Sequence, residues 1–132
     1  MPLNITKTSG GLTHSPVFVG QILGTDVVKI DISDLSDKEV DENGYLKPGV
    51  PFMKDGNPVG SSGVVWGVTI EPIKIATGNT DTILDAATDC FVTVGFGLVN
   101  RDIAEDNLGR AYTSDEIAGF DLAGSNCRIT RT

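Results

Sequence analysis

Residues 90–99 constrain the fold more than any other stretch of this sequence. Cys90, Val92, Val94, Phe96 and Leu98 fall on one side of an extended chain, and Phe91, Thr93, Gly95 and Gly97 on the other. The first side is wholly apolar, which predicts a strand that turns it toward a core. A second run, 27–32, alternates in the same way. Val28, Ile30 and Ile32 share one face, with Lys29 and Asp31 on the other. The most apolar run, 64–70, reads as a central strand that continues past Pro72 into Ile73, Lys74 and Ile75. Gly67 within it signals a bulge or a close backbone approach. Val17, Phe18 and Val19 read as a further strand. Pro48 and Pro51 limit 45–53 to an edge strand or an extended segment with a Pro-Gly turn, and Asp55-Gly56 is a turn signal.

Helix signals are few and short. The stretch 100–108 reads as a short helix or turn closed by Gly109. Thr113 and Glu116 have capping-box spacing, so a second helix starts there, with Ile117 and Phe120 on its apolar side and Gly124 just past its end. A terminal strand at 127–132 points Ile129 inward. The fold class expected is mainly β, one domain with one or two short helices. With 132 residues the chain fits one domain. A chain of that size buries roughly two-thirds of its unfolded surface, enough for a core without disulfides.

Charge narrows the partners. Ten Lys and Arg against 18 Asp and Glu give a formal net charge of −8. That argues against nucleic acid, which needs clustered Lys and Arg, and against an anionic membrane surface. No basic start leads into an apolar run, so no signal peptide is expected, and no apolar stretch reaches the ~20 residues of a membrane span. Residues 1–15 are rich in Thr, Ser and Gly and read as a flexible arm. The acidic run 31–42 lacks the alternating ligands and central glycine of a Ca²⁺ loop and reads as a solvated loop. The Asn4-Ile5-Thr6 sequon has no secretory signal to support its use.

Catalytic chemistry finds little material. His14 is the single histidine, so no multi-histidine metal site can be built. Gly56 to Gly63 lacks the Gly-Lys-Ser/Thr ending of a phosphate loop, and Gly95-Phe96-Gly97 is no dinucleotide fingerprint. Cys90 and Cys127, the two cysteines, form no CxxC pair and read as reduced structural residues. Asp102, Glu105 and Asp106 lie close together and leave room for a carboxylate acid and base, against the plainer reading of a solvated helix end.

The order of these parts carries a resemblance. "YLKPGVPFMKDG" (45–56), "SGVVWGVTIEPIKIATGNTD" (62–81), "CFVTVGFGLVNRDIAEDNLG" (90–109) and "SDEIAGFDLAGSNCRI" (114–129) resemble the lambda-type head decoration proteins of tailed bacteriophages. "Gly-Leu-Val-Asn-Arg-Asp" (97–102) is the most specific piece. The resemblance covers roughly 45–130, and 21–44 falls outside the shared pattern. It implies a small β-barrel or β-tulip-like domain at 21–132 behind a flexible N-terminal arm at 1–20. It implies a structural virion protein that binds the expanded icosahedral head as trimers at quasi-threefold positions and braces it against packaged DNA. The implied partners are the major capsid protein and further copies of the chain, with no cofactor and no enzymatic activity. The implied location is the outer surface of the phage head, after synthesis in the bacterial cytoplasm.

On that reading Ile5, Leu12, Val17 and Phe18 are candidate arm anchors on the shell. Trp66, Arg101 and Asp102 are candidates for the trimer interface. Val65 and Val68 beside Trp66 favour a core position for it, and an exposed Arg101–Asp102 pair is worth less than ~1 kcal/mol. Two other classes stay open: a minor capsid, tail or fibre-base domain, and a small-ligand-binding β-barrel.

Overall fold

The structure is a computed structural model and describes residues 15–36, 38–75 and 89–130. In chain order it has β1 (Gly24–Asp31), a single 3-10 turn (Ile32–Asp34), β2 (Tyr45–Leu46), β3 (Pro51–Phe52), β4 (Gly67–Thr69) and β5 (Ile73–Lys74). Then come β6 (Asp89–Val99), α1 (Arg101–Leu108), α2 (Ser114–Asp121) and β7 (Cys127–Ile129). The molecule is mainly β with two short helices, as its alternation and capping signals predict.

β6 is the spine. β1 runs antiparallel along it, from Gly24 opposite Phe96 to Asp31 opposite Asp89. β4 pairs with it antiparallel at Gly95 and Val94, and β7 pairs with it in parallel from Gly97 to Val99. β3 joins β4, with Pro51 opposite Val68 and Phe52 opposite Gly67. β2 and β5 form a separate two-stranded ribbon. Among the described residues the pairing runs as an open path, β1-β6-β4-β3, with β7 added to β6.

The burial expected of β6 holds only in its first half. Val92 and Val94 are buried as expected, but Leu98, expected in the core, is 39% exposed, while Val99 is fully buried. Cys90 and Phe96 are half-buried. The alternation itself continues through Gly97, but the face that is buried changes: Gly95, Gly97 and Val99 are buried in the second half, and a Cβ on Gly95 or Gly97 would meet the Phe18 ring. A Cβ on Gly97 would lie 3.3 Å from the Phe18 ring. The missing side chain thus admits Phe18 where the expected pattern would have placed none.

Three further expectations are corrected. Residues 64–75 are not one strand. β4 ends at Thr69, and the chain passes through Pro72 into β5 of the other sheet. Proline has no N–H for a ladder, so the break falls there. Val17 to Val19 make a turn with an isolated bridge from Phe18 to Val99, not a strand. Val17 and Phe18 are buried, the Ser15 hydroxyl donates to the Ile70 carbonyl at 2.8 Å, and the Asn100 N–H donates to the Val17 carbonyl at 2.6 Å. Residues 15–20 of the expected arm are therefore built into the domain.

The acidic run is folded too. The Asp31 carboxylate accepts the Ser33 N–H at 2.9 Å and caps the 3-10 turn. Asp41 accepts from the backbone of Asn43 and Tyr45. Ile32 is buried, and Leu35 and Val40 pack on the core. Short acids bond their own backbone here, which lets the apolar residues between them reach inward.

Both helices start as their sequences predict. The Asn100 side chain caps α1 and left-handed Gly109 ends it, while Thr113 and Glu116 form a complete capping box on α2. Leu122 ends α2 in an extended conformation, and Gly124 supplies the turn at φ +93.

Gly56 sits at φ +88 and a Cβ there would fall on the Lys29 carbonyl of β1. Gly56→Ala is expected to lower stability by roughly 2–4 kcal/mol, from left-handed strain and forced movement of β1. Gly60, with open space around it, is the control: Gly60→Ala is expected within ~0.5 kcal/mol of wild type. Urea midpoints at constant slope measure both.

Candidate functional site

Trp66 lies just before β4 and is held from several directions. Its N–H donates to the Phe52 carbonyl at 2.9 Å, and its carbonyl accepts the Asn126 side-chain amide at 3.1 Å. Its indole Nε1–H donates to the Asp26 carboxylate of β1 at 2.9 Å. The Phe96 ring stands edge-on to it, centroids 5.7 Å apart, and the Lys54 ammonium lies 4.9 Å above its ring. Trp66 packs against the core while staying half-buried.

Electrostatics follow the same contacts. The indole bond from Trp66 is the main cause that holds the Asp26 carboxyl below its ordinary value of 3.8, helped by the Val27 N–H. Beside the ring is an open groove of about 420 Å³, lined by Met53, Lys54, Asp55, Ser62, Gly63, Val64 and Trp66. Ser62, at φ +62, is the one non-glycine residue in the left-handed region among the described residues. A Cβ on Gly63 would lie 2.7 Å from the Met53 sulfur, so glycine is what lets Met53 line the floor. The Lys54 ammonium also acts on the Asp26 carboxylate and helps to hold it ionised. The neighbouring Asp55 is turned to the Asn57 backbone and side-chain amide.

A second groove, about 380 Å³, lies where the described chain begins, between Ser15, Pro16, Pro48, Ile70, Pro72 and Ile103. Glu71 and Asn107 also line it. The strongest charge cluster elsewhere does structural work. Arg110 makes a bidentate pair with buried Glu116, at 2.8 and 3.1 Å, and reaches Glu39 at 3.4 Å. This fastens the 32–44 strap to α2. Tyr112 is buried with its hydroxyl donating to the Gly49 carbonyl at 2.7 Å, and burial pushes its ionisation well above the ordinary tyrosine range.

The residues singled out from sequence fare differently. Ile5 and Leu12 lie outside the described residues. Val17 and Phe18 are consumed by the domain's own core. Arg101 pairs with Glu105 one turn along at 3.0 Å, not with its neighbour Asp102. Asp102 is exposed in the first turn of α1, where it favours the helix dipole. Glu105 also accepts the Tyr112 N–H at 2.8 Å, so its carboxylate is engaged in joining α1 to the segment before α2. Asp26, Met53 and Lys54 escaped the sequence reading. One signal was there for Asp26: it shares the alternation of Val28 and Ile30, and an acid on an apolar face needs a donor.

Cys90 and Cys127 are not joined by a disulfide. Cys127 is buried, and burial pushes its thiol up to about 11. Among the described residues no group of three or more His, Cys, Asp and Glu is placed to hold a metal ion, and no helix is long and apolar enough to cross a membrane. Comparisons with protein-family models, curated proteins and solved structures found no match to the chain.

Two outcomes follow from these contacts. The chain has one tryptophan, so a single indole N–H resonance reports the Asp26 bond. On acidification the midpoint of its movement is expected below 3.8, because the bonded carboxylate has its folded-state pKa lowered. The stability that this bond adds is present above the unfolded value and is lost as pH falls through the lowered one. In Asp26→Asn the resonance is expected to lose this titration. Separately, Arg110→Met strips Glu116 of its bidentate partner and is expected to cost ~2 kcal/mol in urea unfolding at neutral pH.

Proposed function

We propose that the chain is a head decoration protein of a tailed bacteriophage, a structural component that binds the expanded icosahedral shell and stabilises it against internal pressure. The observation that carries this reading is the Trp66 face. It is an aromatic anchor preset before a partner arrives, on a small acidic β domain. A preset anchor loses little freedom on binding, and aromatic side chains dominate interface energetics. The segments that carry the resemblance support the reading further. Gly97 to Asp102 form the last pairing of β6 and the capped start of α1.

In this reading the copies act as trimers at quasi-threefold positions, with the major capsid protein as partner and the outer head surface as location. Each contact can be weak, because three linked subunits raise avidity. Net charge −8 keeps free copies apart in the host cytoplasm before assembly. Residues 1–14, with Ile5 and Leu12, supply additional shell contacts.

Co-sedimentation with expanded and unexpanded heads of the phage that carries the gene tests this. Saturable binding to expanded heads alone, in multiples of three per lattice position, is the expected result, and removal of residues 1–14 is expected to weaken it. Failure to bind either form, or equal binding to both, overturns the reading.

A further inference from the structure

We infer that two grooves meeting at Glu71 form one seat for residues 1–14 of the same chain, with Leu12 covering Phe91. The inference goes beyond the decoration reading and does not need it.

Shared walls set the path. The groove of about 380 Å³ begins at Ser15, where the described chain starts. A smaller groove of about 110 Å³ has Ile73, Phe91 and Thr93 among its walls. Ile70 and Glu71 line both, so the first runs into the second. The Ser15 hydroxyl donates to the Ile70 carbonyl at 2.8 Å, which pins the chain beside Glu71 at the point where residues 1–14 depart. A segment tethered at the mouth of its own groove binds at high effective concentration and avoids the cost of capturing a separate molecule.

Length fits the far end. Thr69 of β4 is opposite Val94 of β6, so Ile70 and Thr93 come next along the pair. Phe91 lies two residues beyond Thr93, roughly 7 Å along the strand. Leu12 is three residues before Ser15, a reach of about 10 Å in an extended chain, and it is the first large aliphatic residue met from that side. Phe91 is 71% exposed, and Ile73 beside it is only partly buried. A leucine laid across them removes apolar surface of both partners from water.

Charge names the same occupant. Glu71 is the one charged residue that lines either groove, and among the described residues it enters no ion pair. Residues 1–14 hold Lys7 and none of the chain's 18 Asp and Glu, all of which lie in the remainder. A basic segment is drawn to that acidic remainder, while a whole second copy at −8 is repelled by it.

Nuclear magnetic resonance of the dilute full chain tests the seat. Overhauser contacts between the Leu12 methyls and the Phe91 ring are expected in wild type. In Leu12→Ser the Phe91 ring resonances are expected to move to solvent-exposed positions, while those of buried Phe52 and Phe120 stay in place and report an intact fold. Glu71→Lys, at an exposed position, is expected to weaken the Leu12–Phe91 contact roughly 2–5-fold, and 1 M salt to weaken it likewise. Absence of the contact, Phe91 resonances indifferent to Leu12→Ser, or full contact strength in Glu71→Lys overturns the inference. So does a contact that appears between labelled and unlabelled copies in a mixed sample, which would make a neighbour's segment the occupant. None of these readouts involves phage heads, so they stand or fall apart from the decoration reading.

Discussion

Everything in this domain leans on β6, and β6 works because its two faces are covered in turn. In this eleven-residue strand Val92 and Val94 are buried on one face in the first half, and Gly95 and Gly97 lie under Phe18 on the other in the second. The first half serves β1 and β4, and the last three residues serve β7 and the Phe18 bridge. Two packing environments are thereby joined on one continuous backbone. Val94 belongs to the first and Val99 to the second, and both are fully buried. A side chain on Gly97 would have to adopt a backbone that L residues rarely adopt, and would press on Phe18 as well.

Charge is used locally in the same economical way. The acidic segment after β1 is folded because its carboxylates accept backbone N–H groups within their own turns. Among the described residues of that segment Glu39 pairs across the chain with Arg110, and Arg110 is committed to Glu116. The capping box makes Glu116 serve the α2 backbone as well, so one buried acid ties a helix start, a strap and an arginine together. A bidentate pair with these extra bonds keeps the burial of charge tolerable.

Much of the fold was legible in the residues, for reasons that differ from one element to the next. β1 and the first half of β6 announce themselves through alternation, and both helix starts through capping residues whose hydrogen bonds are local. The change of buried face along β6 was not legible, since Gly95 and Gly97 give no sign in the sequence that another segment will cover them. Nor was the fate of Val17 and Phe18. Apolar residues in an apparent arm look the same whether they wait for a partner or fill a slot at Gly95 and Gly97, and only the tertiary structure supplies the slot. At the candidate site Trp66 stood out by type, but Asp26 and Lys54 come from 40 residues upstream and from the preceding turn. Such meetings depend on register, which local sequence does not carry.

The parallel pairing of β7 has a consequence for how the chain is made. Gly97 to Val99 remain without their β7 partner until Cys127 to Ile129 have been synthesised. A nascent chain can therefore complete β1 against β6, and even α1, while one ladder of its spine still lacks a neighbour. The buried pair Val99 and Ile129 thus closes only after both helices between them have been made.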